Sequence, residues 1–194
     1  VIGRYLGERG LIAYSTMGYV AAVLIIISVG ICQGAQPLIS YYNGARRPDM
    51  IRRLLGYELK SVVSASVLMF IGLIVFASNI VTLFIPRESP EMIAYTTGAF
   101  RLFITFCLVD MFNVILSMYA TAMERPIPGL LTAILRTTVF LLIGIFVMYR
   151  LFGQSGIWLG MTGAELLTLI MASAIFNIRR AWLPQPRDDS APRN

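Results

Sequence analysis

The sequence predicts an all-α integral membrane protein, a five-helix transmembrane bundle, and three observations carry that expectation. Hydrophobic residues make up 57% of the 194 and charged residues only 13%, where a soluble domain carries about a quarter charged. The mean hydropathy is +0.75, and the apolar runs are longer than buried core helices need. The connections between them are short and rich in Gly and Pro, with no loop long enough to hold a soluble domain.

The first helix is expected over 11–40, closed by Asn43-Gly44. The second is expected over 57–85, followed by a loop bracketed by Pro86 and Pro90, and the third over 91–123, ended by Pro126 and Pro128. The fourth covers 127–149 and the fifth 156–178, with Gly153 and Gly156 between them and a polar tail at 184–194. Each run exceeds the roughly 20 residues that cross a hydrocarbon core, and the first and third are long enough to tilt or project. Pro37 removes a backbone donor near the end of the first helix and is expected to kink it. Lipid gives helices little hydrophobic reason to associate, so small residues should mark their contacts. Gly30-x-x-x-Gly34 and Gly156-x-x-x-Gly160 are the two candidates for close crossings.

Charge placement gives the topology. The net charge of +6 suits nucleic acid in principle, but its distribution points to a bilayer instead. Arg46, Arg47, Arg52, Arg53, Lys60, Arg125, Arg179, Arg180, Arg187 and Arg193 fall on one side of an alternating bundle. Only Arg4, Arg9, Arg87 and Arg150 fall on the other. The richer side, which includes the tail, is expected to be cytoplasmic. The chain opens at Val1 without an initiator Met, and an outside start reads as a helix missing from the front. Cys32 and Cys107 lie inside apolar runs and read as small buried hydrophobes. With no His in the sequence, no thiol–imidazole metal site is expected. No nucleophile–base pairing, phosphate-cradling glycine loop or carboxylate cluster suggests an enzyme.

The third helix carries the most chemistry. Asp110, Asn113, Ser117, Thr121 and Glu124 recur at steps of three and four, which aligns them on one helical face. A hydrogen-bonding seam between helices accounts for Asn113, Ser117 and Thr121. Asp110 is different, because a seam needs no charge and a carboxylate in hydrocarbon must face protein or water. It is expected to bind a proton or another cation and so to couple transport. Arg101 lies on the opposite face of the same helix. Were Asp110 fixed to a base with no opening beside it, that role would fail. Gln33, Gln36 and Ser40 form a second polar stripe, read as cavity-lining. Arg136 and Glu165 are expected to form a structural ion pair that keeps either charge from being stranded in lipid.

The run Gly30-Ile-Cys-Gln-Gly-Ala-Gln-Pro-Leu-Ile-Ser-Tyr-Tyr-Asn-Gly-Ala45 resembles a helix-end motif of multidrug and toxic compound extrusion (MATE) transporters. Arg136, Gly156-Ile-Trp158 and Glu165 follow where that family often has an Arg, a Gly-x-Trp opening and an acidic residue. The resemblance covers nearly the whole chain. It implies the C-terminal lobe of a two-lobe transporter, with five of six helices present and Val1–Gly10 as the loop after a missing first one. Asp110 resembles the coupling-cation carboxylate of some branches. Those branches often have a Tyr one turn earlier, where this chain has Phe106, which favours H+ over Na+. No cofactor is implied beyond that ion. The implied function is cation/drug antiport by alternating access, in the plasma (inner) membrane, with a cytoplasmic C-terminus. The implied partners are an N-terminal lobe, the lipid bilayer and small organic cations or amphipathic drugs, whose cavity Phe103, Phe106 and Met111 would help line. Two other readings are a lipid-linked oligosaccharide flippase of the same superfamily and a non-transporting membrane scaffold subunit.

Overall fold

The computed structural model describes residues 2–124 and 126–178. The tail at 184–194, with Arg125, Arg179, Arg180, Arg187 and Arg193, lies outside the described residues. The first helix, α1, spans Ile2–Gly44. The stretch expected as a loop before position 11 is therefore helical from Ile2. Gly7, at φ 63 and ψ −155, is the one break in helical geometry in α1, and glycine takes that backbone without steric cost. Pro37 lies inside α1, where helical dihedrals continue on either side.

Helix α2 spans Pro48–Val75 and starts well before the expected position 57. Its start is encoded locally: Pro48 brings a pre-set φ and no wasted donor, and Asp49 sits in the first turn, where helix N-termini favour negative charge. After a break at Phe76 the chain continues as α3, Ala77–Phe84. Helix α4, Pro90–Phe103, is capped by Ser89, whose side chain accepts from the Met92 amide at 3.3 Å. A 3₁₀ turn at Ile104–Phe106 joins it to α5, Cys107–Ala122. The next span is also segmented: α6 is Pro126–Ile134, a π-helical segment covers Leu135–Phe140, and α7 is Leu141–Phe152. Gly153, at φ 62, then turns the chain into α8, Gln154–Trp158, and α9, Gly160–Ile178.

Among the described residues, four stretches are long and apolar enough to cross a membrane: Gly7–Gly44, Pro48–Val75, Pro90–Ala122 and Gly129–Phe152. Helix α9 is a shorter apolar helix of 19 residues, about 28 Å long at 1.5 Å per residue. The chain is thus a multi-pass membrane protein. Its hub is the α4–α5 span, whose most apolar window is 61% buried against 17% for α2 and 11% for the α6–α7 span. Exposed Ile26, Leu68, Phe146 and Ile170 give the outer helices an oily surface.

Three apolar clusters stack along that hub. Met17, Leu24, Phe100, Phe106 and Trp158 fill one end. Cys32, Val62, Met111 and Ile115 fill the middle, and Ile39, Ile51, Tyr119 and Met123 the other end. The two ends also differ in charge, as expected. Arg9 meets Glu91 at 3.1 Å at the first, while the Arg46–Arg47 turn follows α1 at the second.

The two glycine motifs behave differently. A Cβ added to Gly144 would come within 2.6 Å of the Ala164 amide nitrogen and the Gly160 carbonyl, and one on Gly163 within 3.0 Å of Met148. Gly156 and Gly160 are blocked in the same way by Met148 and Ile145. Backbones of α7 and α9 therefore touch, as small residues in membranes allow. Gly30 and Gly34, expected to mark a second crossing, have nothing within 4 Å. Within the described residues that face of α1 packs against no other helix.

Candidate functional site

Asp110, Arg136 and Glu165 converge where α5, the π-helical segment and α9 meet. Asp110 lies in the first turn of α5, directly after the 3₁₀ turn. That turn is pinned by Thr105, whose hydroxyl donates to the Leu102 carbonyl at 2.7 Å and pairs with the Thr162 hydroxyl at 2.6 Å. Arg136 lies inside the π-helical segment. Short π segments widen a helix, shift its side-chain register and are frequent at functional sites.

The Arg136 guanidinium is shared. Its Nη2 donates to Asp110 Oδ1, and its Nε sits 2.8 Å from Glu165 Oε1. Asn113 secures the far side of Glu165, donating from Nδ2 to Oε2 at 2.7 Å and to the Glu165 backbone carbonyl at 2.9 Å. Asp110 and Glu165 are each 1% exposed and Asn113 is fully buried. The Arg136 side chain is 16% exposed, so of the three ionic side chains it is the one that reaches the surface. Two carboxylates face one guanidinium. Fully ionised, the cluster is short of one positive charge. It also leaves two buried oxygens without a hydrogen-bond partner among the described residues, Asp110 Oδ2 and Asn113 Oδ1. Leaving a buried acceptor unpaired costs about 1–3 kcal/mol each, a cost that a proton or small cation would remove.

The expected Arg136–Glu165 pair is present, but it is not separate from Asp110; the three groups form one network. Asp110 therefore has a basic partner, held through one oxygen only. Arg101 is exposed and takes no part. The polar stripe divides along its length. Ser117 is half-buried, and its carbonyl accepts from Thr121, which with Glu124 is exposed towards the end of the helix. Thr121 so hydrogen-bonds within its own helix, and its hydroxyl borders Gly129 of α6.

Phe106 is wholly buried against Phe103, with ring centroids 5.3 Å apart, inside the apolar cluster at one end. The expectation that it lines a drug cavity is corrected by that placement, because the ring is spent on the lobe's own packing. Phe103 and Met111 are buried likewise. Gln33 is exposed and Gln36 half-buried on α1, beside the open faces of Gly30 and Gly34. Ser40 donates to the Ala122 carbonyl at 3.1 Å, tying α1 to α5.

One buried carboxylate went unread in the sequence. Glu58 is 7% exposed on the inward face of α2, in line with Ile51, Val62 and Ser66. The Pro48-Asp49 start signal could have revealed it, since it moves Glu58 from the expected helix end to well inside the helix. No group of three or more His, Cys, Asp and Glu side chains with metal-ligand placement occurs among the described residues.

The MatE family model matches residues 1–149. No curated protein sequence matches the chain. Solved structures do. A multidrug resistance MATE family transporter of the MOP superfamily in its inward-facing conformation superimposes with a TM-score of 0.85 at 17% identity, over 98% of this chain and 43% of that one. An outward-facing conformation of such a transporter gives 0.83 at 17% identity, over 94% and 41%. A MOP superfamily transporter from Pyrococcus furiosus, described as having a binding pocket of reverse polarity, gives 0.81 at 20% identity, over 92% and 40%. The chain so spans about two fifths of the length of these transporters and has the fold of one of their lobes. With the match over residues 1–149, the chain belongs to the MatE family of membrane transporters.

Proposed function

We propose that this chain is the C-terminal lobe of a proton-coupled multidrug exporter of the plasma (inner) membrane. Its partner is an N-terminal lobe of the same transporter, and its C-terminus is cytoplasmic. The observation that carries the reading is the buried cluster short of one positive charge, with Asp110 Oδ2 free. A proton needs a single oxygen, and Oδ2 offers one while Oδ1 stays with Arg136. Proton binding neutralises Asp110 and weakens its hold on Arg136, which remains held by Glu165. Cation occupancy is thereby converted into a change of contact between helices. A ligand shifts a conformational equilibrium only through such a difference between states.

Similar TM-scores to inward- and outward-facing transporters support a lobe that keeps its shape while the two lobes rock about a central site. Small organic cations and amphipathic drugs are the proposed cargo. Gln33 and Gln36, on the uncovered glycine face of α1, are placed to line the wall between the lobes. The test is Asp110→Asn in the full-length transporter reconstituted in vesicles. Efflux of ethidium driven by a pH gradient should cease while ethidium binding persists. Undiminished proton-driven efflux at normal expression refutes the coupling role, and efflux driven by a Na+ gradient alone would replace H+ by Na+.

A further inference from the structure

Several exposed bases of this lobe find partners of their own. Arg9 pairs with Glu91 at 3.1 Å, Arg47 with Asp49 at 3.2 Å, and Arg150 lies over the Phe146 ring at 4.9 Å. Arg53 and Lys60 of α2 have no such partner among the described residues. Both are exposed, as is Tyr57 between them. The three recur at steps of four and three and so share one helical face. Asp49, the acid on that face, is already engaged by Arg47, and Arg52 flanks it, also exposed.

The same face continues without a change of direction into apolar residues. Val67, Ile71 and Val75 follow in register with Lys60, and all three are exposed. The opposite face of α2 is the packed one, carrying Ile51, Glu58, Val62 and Ser66 against α1 and α5. The outer face is therefore basic and aromatic over its first half and oily over its second. A wall facing an aqueous cavity would stay polar along its length. The proportions are those of a lipid. Ile71 lies eleven residues beyond Lys60, about 16 Å along the helix, and the hydrocarbon of one leaflet is about 15 Å deep. Lys60 so stands where hydrocarbon gives way to headgroups. Helical side chains lean toward the helix N-terminus, which lets Lys60 lift its ammonium toward Tyr57 and away from the oil. Tyrosine favours that same layer.

We propose that the outer face of α2 is a binding site for an anionic phospholipid. Lys60 and Tyr57 hold its phosphate, Arg53 and Arg52 add attraction from above, and its acyl chains lie along Val67, Ile71 and Val75. Charge selects the headgroup, because a zwitterionic lipid brings a cation of its own to the same bases. The assignment is independent of how transport is coupled.

The test uses the full-length transporter, stripped of lipid in detergent and titrated at low salt with dioleoyl-phosphatidylglycerol or dioleoyl-phosphatidylcholine, with binding read by native mass spectrometry. Wild type should prefer the anionic lipid. Arg53→Gln and Lys60→Gln should each weaken it about fivefold, and the double variant about thirtyfold, at the energy that one base near an anionic surface contributes. Phosphatidylcholine binding should be unchanged in all of them. Arg87→Gln, an equal loss of charge at an exposed site on the other end of the lobe, should leave both lipids unaffected. Phosphatidylglycerol with a diazirine in its acyl chain should crosslink to peptides containing residues 67–75. Equal affinity for the two lipids overturns the proposal, as does a double variant that binds phosphatidylglycerol like wild type, the result expected if another part of the transporter covers this face. A loss that strikes both lipids alike, an equal loss in Arg87→Gln, or crosslinks falling outside α2 also overturns it.

Discussion

Arg136→Gln strips the shared guanidinium from between two carboxylates. Because Asp110 and Glu165 are each 1% exposed, neither can turn to water, and the variant leaves two like charges stranded side by side. Breaking a buried pair by removing one partner costs about 3–5 kcal/mol. Asp110→Asn is a different perturbation. It leaves Arg136 and Glu165 as a balanced pair, still bonded at 2.8 Å and braced by Asn113, and forfeits one charge-assisted hydrogen bond worth about 1.5–3 kcal/mol. The double variant should therefore be more stable than Arg136→Gln alone, by roughly 2 kcal/mol, within the range seen for directly coupled residues. Thermal unfolding of the purified full-length transporter, with ethidium absent, measures all three. The reasoning is refuted if Arg136→Gln melts like wild type, or if its loss is the same with Asp110 and with Asn at position 110.

Two further outcomes follow from packing. Gly144→Ala forces a Cβ to within 2.6 Å of the α9 backbone and should destabilise by about 1–3 kcal/mol or more, whereas Gly30→Ala and Gly34→Ala, with open space around them within this lobe, should carry no such clash penalty; the same melts of the full-length transporter compare them. Asn113→Leu removes both donors to Glu165 and should cost about 1–3 kcal/mol, measured by the same unfolding, with a cost no larger than that of a surface substitution counting against the brace.

The helical architecture was legible because lipid permits few alternatives: long apolar runs must satisfy their backbone internally. Asp110, Asn113, Arg136 and Glu165 could be picked out because polar side chains in such runs are conspicuous. Their union around one guanidinium was not legible. It depends on a π segment and a 3₁₀ turn that re-aim side chains by part of a turn, and neither has a reliable signature in composition or spacing. Glu58 was missed for a different reason. The arginines at 46, 47, 52 and 53 look like a loop, which hid a helix start at Pro48 and left Glu58 looking interfacial. Phe106 was misplaced because periodicity gives a face but not the neighbour that covers it, and here Phe103 does so from within the hub. The glycine pairs carry the same lesson. Identical spacing gave a tight crossing at Gly156 and Gly160 and an uncovered surface at Gly30 and Gly34, because spacing says nothing of which partner arrives.

Helices α7 and α9 meet through glycine, backbone against backbone at Gly144 and with only the side chains of Ile145 and Met148 between them at Gly160 and Gly163. They form a single post, with Arg136 just before α7 and Glu165 on α9. Asp110 belongs to a different beam, jointed at the turn around Thr105. Of the three ionic groups it alone stands on that second beam, which Asn113 and Thr105 also fasten to the post, so an arriving cation would undo one tie among several while the post itself stays whole.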